Sequence, residues 1–189
     1  MLHRRPLVKK LLVDRPANVL AVSGLGSSTW DLTASGDDAR NFCFIGAMGQ
    51  AAPFALGLAM AQPDKRIVLF TGDGEMLMGL GSLATIASKS PKNLAIAVLD
   101  NESYVETGSQ PTATASGTDL EVVARGCGIA TTCTVTGDAQ VNVLKEMLFN
   151  TPGPAFANVK VDAEALPLVF PHSFDGVTAI NRFRDAAMS

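Results

Sequence analysis

A chain of 189 residues is long enough to bury one substantial core. With 47% hydrophobic and 17% charged residues it is not a disordered chain, and a net charge of −3 without a basic stripe excludes a nucleic-acid binder that works by charge. Cys43, Cys127 and Cys133 have no CxxC spacing, which supports neither a disulfide framework nor a zinc or iron–sulfur site and makes a reducing, cytoplasmic compartment the expectation. No apolar stretch reaches membrane-spanning length, and the first residues are too polar for a signal peptide.

In chain order, Leu7 to Val13 reads as a helix, and Arg4-Arg5 with Lys9-Lys10 reads as its solvated decoration. Ala17 to Val22 is a short buried strand ending in the loop Ser23 to Ser28, and Asn41 to Ile45 is another short strand. Ala51 to Met60, apolar nearly all round, is a buried helix with Pro53 in its first turn. Ile67 to Phe70 is a strand stopped by Gly72-Asp73-Gly74, Leu77 to Ser88 a helix, and Leu94 to Leu99 a strand running into Asp100-Asn101. Thr118 with Glu121 has the spacing of a capping box opening a helix to Ala124. Ala130 to Val135 is a strand, Ala139 to Phe149 a helix and Ala155 to Val161 a last strand. The pattern predicts one α/β domain over residues 1–189, a three-layer parallel sheet with helices on both faces, and a loosely structured tail from about residue 163.

Ligands of such sheets bind at the carboxyl ends of the strands, where loops 24–28, 72–75 and 100–108 are rich in Gly, Ser, Asp and Asn. Glycines on both sides of Asp73 allow a sharp turn and close ligand approach. The helix that follows offers free N–H groups to a phosphate. Magnesium takes hard oxygen ligands, usually one or two carboxylates together with substrate phosphates. Asn101 ends the next strand, and the 26 residues between it and Gly74 accommodate one helix, a turn and a strand. Asp73 and Asn101 therefore read as a grip on a magnesium diphosphate. Gly24-Leu25-Gly26 also hints at a dinucleotide fingerprint, but its third glycine is replaced by Thr29.

The GDG…N combination resembles the diphosphate-binding motif of thiamine diphosphate enzymes. Gly72 to Met78, Gly81 to Ala87, Leu99 to Tyr104 and Thr107 to Thr112 are similar to the corresponding segments of phosphonopyruvate and sulfopyruvate decarboxylases. The resemblance implies thiamine diphosphate and Mg²⁺ as cofactors, with the metal held by Asp73, Asn101 and the backbone carbonyl of Ser103. It places Gly26, Ser27 and Ser28 at the diphosphate, Met48 under the bent cofactor and the Gly46 carbonyl on its aminopyrimidine amine. Gly72, Gly74, Glu75 and Tyr104 complete the implied cofactor-binding set.

The same resemblance implies a lyase that decarboxylates a small anionic 2-oxo acid. The family's activating Glu comes from a separate pyrimidine-binding domain. It is therefore expected on a partner α subunit, in a hetero-oligomer, with a homodimer as the other arrangement. Rival readings are a subunit of a carboligase or of a 2-oxo acid oxidoreductase, and a non-catalytic module that keeps the fold. His3 and His172 lack metal-ligand spacing; His172 reads as part of a surface turn, with substrate contact left open. Glu102 and Glu106, which flank a loop that covers the active site in the family, read as solvated carboxylates.

Overall fold

The computed structural model describes all residues, 1–189. Six parallel strands form one sheet: β1 (Val19–Ser23), β2 (Asn41–Cys43), β3 (Arg66–Gly72), β4 (Leu94–Asp100), β7 (Thr131–Val135) and β8 (Ala155–Lys160). Their order across the sheet is β2-β1-β3-β4-β8-β7, and every pairing is parallel. Two short strands, β5 (Ser103–Tyr104) and β6 (Gln110–Pro111), make an antiparallel ribbon beyond β4.

Alternation along the strands assigns each side chain to a face. Val68, Phe70, Ala95 and Ala97 point to one side, against Leu7, Val8 and Leu11 of α1 (Arg4–Leu12), Leu32 of α2 (Ser27–Ala34) and Leu144 and Leu148 of α7 (Val141–Phe149). Ile67, Leu69, Leu94 and Ile96 point to the other, against α3 (Ala51–Ala61), Leu83 and Ile86 of α5 (Ser82–Lys89), Leu120 and Ala124 of α6 (Leu120–Gly126) and Phe183 of α8 (Gly176–Met188). Because both faces are covered, the central strands read as unbroken apolar runs, with every residue of β4 buried.

Several local expectations are corrected. The stretch read as one helix from Leu77 to Ser88 is two, α4 (Asp73–Met78) and α5, parted at Gly79–Gly81. The cause is a close backbone approach: a Cβ on Gly79 would overlap the Gly49 carbonyl oxygen, and Gly49 itself has φ +79°. Thr118 does not cap α6. Asp119 does, accepting from the Val122 N–H at 3.1 Å, while the Glu121 carboxylate turns aside to Thr132, Thr134 and Arg125. The tail expected to be loose from residue 163 contains α8, capped by Asp175 through the N–H groups of Val177 and Thr178 and anchored by Phe183 and Ala187. Helix α3 is buried on one side only, since Pro53, Gly57 and Met60 of its apolar sequence face outward.

Candidate active site

The chain winds outward from β1 to β2 and outward the other way from β3 to β4, so the strand order reverses between the parallel neighbours β1 and β3. At the carboxyl edge of that switch point lies a cleft of about 130 Å³. The loop after β1 with the start of α2, the loop before α3, the β3–α4 turn and the segment after β4 bring Gly26, Ser27, Ser28, Met48, Gly72, Asp73, Gly74, Glu75, Asn101, Ser103 and Tyr104 into its walls. Gly46 is outside this lining, on an exposed stretch of the loop before α3.

Asp73 begins α4 and is 1% exposed. Its Oδ2 accepts from the hydroxyl of Thr112 at 2.5 Å and from that of Thr114 at 3.1 Å, and neither bond uses Oδ1. The Thr114 hydroxyl also lies 2.8 Å from Asp100 Oδ1, so its single proton is shared between two buried carboxylates. Burial pushes the Asp73 carboxyl above the usual range; the Thr112 bond opposes that shift and the charge of Asp100 adds to it. Asp100 is balanced from the far side by Lys160 Nζ at 2.7 Å and by the Asn158 amide at 3.1 Å. Asn101 folds its amide oxygen onto the Ser103 N–H at 3.0 Å, which fixes the bend that brings both residues to the cleft.

The glycines have different tasks. A Cβ on Gly72 would meet nothing within 4 Å, leaving the cradle open. A Cβ on Gly74 would overlap the Tyr104 ring, which lies against it, and one on Gly24 would overlap the Glu75 carboxylate. Glu75 itself is 3% exposed; it accepts from the Thr71 hydroxyl and, at 3.2 Å, from the Ala51 N–H at the start of α3. Burial raises its carboxyl despite these donors. Glu75 thus pins β3 to α3, and its contribution to the cleft is structural.

Of the two serines, Ser28 turns its hydroxyl inward to the Gly24 carbonyl at 3.0 Å, whereas Ser27 turns outward. Sequence reading missed four residues here. Arg4, read as solvated, is 2% exposed, lines the cleft and pairs with the buried Asp31 at 2.7 Å, while Arg5 holds the other oxygen at 2.9 Å. Thr112 and Thr114 carry no signal that could have tied them to Asp73. Trp30 bonds through Nε1 to Glu106 at 2.7 Å, and Glu102 bonds to Lys160, so neither loop glutamate is merely solvated. His172 is exposed beside Asp37 in a second groove that shares no lining residue with the cleft.

The donor set fits a magnesium diphosphate. Carboxylate and amide oxygens converge on the cleft, and no cluster of three His, Cys, Asp or Glu side chains that could hold a metal occurs in the chain. No helix is long and apolar enough to cross a membrane.

Residues 26–159 match the family described as thiamine pyrophosphate enzyme, C-terminal TPP binding domain. Sulfopyruvate decarboxylase subunit beta of Methanocaldococcus jannaschii is 41% identical over 131 residues, 69% of this chain and 69% of that one. Phosphonopyruvate decarboxylase of Streptomyces viridochromogenes is 34% identical over 170 residues, 90% of this chain and 40% of the relative. An X-ray structure of a Mycobacterium smegmatis protein described as thiamin diphosphate-dependent superposes with a TM-score of 0.72 at 22% identity, covering 85% of this chain and 32% of that one, which supports the fold. The chain belongs to the thiamine pyrophosphate enzyme family, whose C-terminal TPP binding domain is the part it matches.

Proposed function

We propose that the chain is the thiamine diphosphate- and Mg²⁺-binding β subunit of a 2-oxo acid decarboxylase acting on sulfopyruvate, phosphonopyruvate or a similar small anionic acid. The observation that carries the reading is the meeting of Asp73, Asn101 and Ser103 in one cleft with the loop at Gly26 and Ser27. Asp73, Asn101 and the Ser103 carbonyl would hold the metal, with Oδ1 of Asp73 as the oxygen spared by the threonines. Ser27, Gly26 and the N–H groups at the start of α4 would receive the diphosphate. Met48 would support the cofactor's rings. When bound, the cofactor supplies the electron sink for loss of CO₂ from a 2-oxo acid.

Two buried acids of the site are committed elsewhere: Glu75 to Thr71 and Ala51, and Asp100 to Lys160 and Thr114. The glutamate that activates the cofactor is assigned to a pyrimidine-domain partner. The bare apolar face of α3, with Pro53, Gly57 and Met60 outward, supports a subunit that docks on another chain. The relative named subunit beta supports the same arrangement.

Calorimetric titration with thiamine diphosphate and Mg²⁺, on the wild type and on Asp73→Ala, tests the site: binding lost only in the variant is the expected result. Decarboxylation assays on the chain alone and with its partner test the division of labour. Full activity of the isolated chain would overturn it.

A further inference from the structure

We propose that Glu106 is a displaceable latch, whose carboxylate occupies in the free chain the donors that the cofactor's diphosphate takes when it binds. The inference rests on the thiamine diphosphate reading of the cleft and adds to it a residue that competes with the cofactor. Oε1 of Glu106 accepts from Trp30 Nε1 at 2.7 Å and from the Ser27 hydroxyl at 3.3 Å. A Cβ on Gly26 would lie 3.5–3.6 Å from all three atoms of that carboxylate, so the group rests against the backbone of the phosphate-facing loop. Ser27, Gly26 and Glu106 line the same cleft as Asp73 and Asn101.

The arm that carries Glu106 is built to move as a unit. It is an exposed single turn, Val105–Thr107, bracketed by positive φ at Glu102 (+60°), Gly108 (+118°) and Ser109 (+58°). Thr107 and Gln110 bond only to each other and to the arm's own backbone. Between Ser103 and Gln110, the Glu106 carboxylate supplies the side-chain hydrogen bonds to another element, α2. Releasing it leaves the six-stranded sheet untouched.

An indole N–H and a serine hydroxyl suit any oxyanion, and a carboxylate fills them in the absence of a phosphate. The two anions cannot share these donors, because like charges at hydrogen-bonding distance repel. Entry of the diphosphate therefore breaks the Glu106–Trp30 bond and lifts the Val105–Thr107 turn, while Ser103 and Tyr104 keep their places in the cleft. Trp30 is the only tryptophan in the chain, so the event has a built-in reporter.

The test uses the full chain, with Mg²⁺ and inorganic pyrophosphate as one probe and Mg²⁺ and thiamine diphosphate as the other. Affinity and Trp30 emission are followed in the wild type, in Glu106→Gln, which removes the charge but keeps an acceptor, and in Glu106→Ala, which removes both. Wild-type emission is expected to shift on saturation, and Glu106→Ala to show the shifted emission without ligand. Both variants are expected to bind either probe about tenfold more tightly. Equal or weaker binding by the two variants, or a wild-type emission indifferent to saturating ligand, overturns the latch. If no form binds either probe, with or without the partner subunit, the thiamine diphosphate reading itself falls and takes the latch with it.

Discussion

The hydroxyl of Thr112 donates a 2.5 Å hydrogen bond to Oδ2 of Asp73, reaching across 39 positions of sequence to fix the rotamer of a carboxylate at the start of α4. Thr114 adds a second bond to the same oxygen. The pair engages Oδ2 alone, which restrains the side chain and leaves Oδ1 as the oxygen proposed above for the metal. Thr112→Val leaves a buried carboxylate short of a donor, which costs about 1.5–3 kcal/mol. Urea denaturation should show that loss, and Mg²⁺ titration should show weaker binding. Thr112→Ser, which keeps the hydroxyl, should recover most of both.

Asp73 and Asp38 should respond to pH with opposite signs. Burial raises the Asp73 carboxyl, so its contribution to folding is full below the unfolded pKa of 3.8 and is lost as pH rises through the folded value. In metal-free protein, Asp73→Asn should therefore be more stable than wild type at neutral pH, with the difference vanishing in acid. Asp38 is opposed by burial but held well below the usual range by Arg40 and Arg15. Its contribution is present above 3.8 and is lost as pH falls through the folded value. Asp38→Asn should be less stable at neutral pH and converge on wild type in strong acid. Denaturation curves collected across pH give both signs.

Gly24→Ala tests the packing of the two cleft walls. The added methyl overlaps the Glu75 carboxylate, which caps the start of α3 and bonds to Thr71. Overpacking of this kind costs about 1–3 kcal/mol. A fall in melting temperature is expected, together with impaired cofactor binding. Gly36→Ala serves as a comparison for strain alone, since it has positive φ (+126°) but no atom within 4 Å of the added group.

Arg4→Met removes one partner of the buried Asp31 while leaving Arg5 in place. Loss of a partner from a buried ion pair costs about 3–5 kcal/mol when the remaining charge is stranded. Retention of Arg5 should keep the effect toward the lower end in chemical denaturation. Because Arg4 also lines the cleft, diphosphate affinity should fall as well.

Ligand linkage gives an independent check. At a free concentration of one hundred times Kd, a ligand bound only by the folded state adds about 2.7 kcal/mol. Thiamine diphosphate with Mg²⁺ should therefore raise the melting temperature, chelation should reverse the rise, and Asp73→Ala should not respond.

The strands were legible because a parallel sheet buried on both faces demands uninterrupted apolar runs, and Ile67 to Phe70 and Leu94 to Leu99 are such runs. The cleft loops were legible for the same topological reason, since every parallel strand ends at one edge. Helix α2 was hidden because Ser27–Ala34 is largely polar and begins after Gly26, with no capping side chain. Helix α8 was hidden because it buries few residues, chiefly Phe183 and Ala187. Arg4 was misread because a cluster of basic residues says nothing about a carboxylate 27 positions away. Thr112 and Thr114 were missed for the same reason: hydrogen bonds between distant segments leave no periodicity.

The reversal of winding between β1 and β3 has one more consequence. Their loops leave the sheet in divergent directions, so neither has to cross above the gap between them. The hollow is therefore a product of connectivity and would persist through extensive change in the side chains around it. The chemistry proposed for it is the opposite case, resting on a few atoms such as Oδ1 of Asp73. Room for a ligand is inherited with the topology, while the identity of the ligand is written in residues that a single substitution can erase.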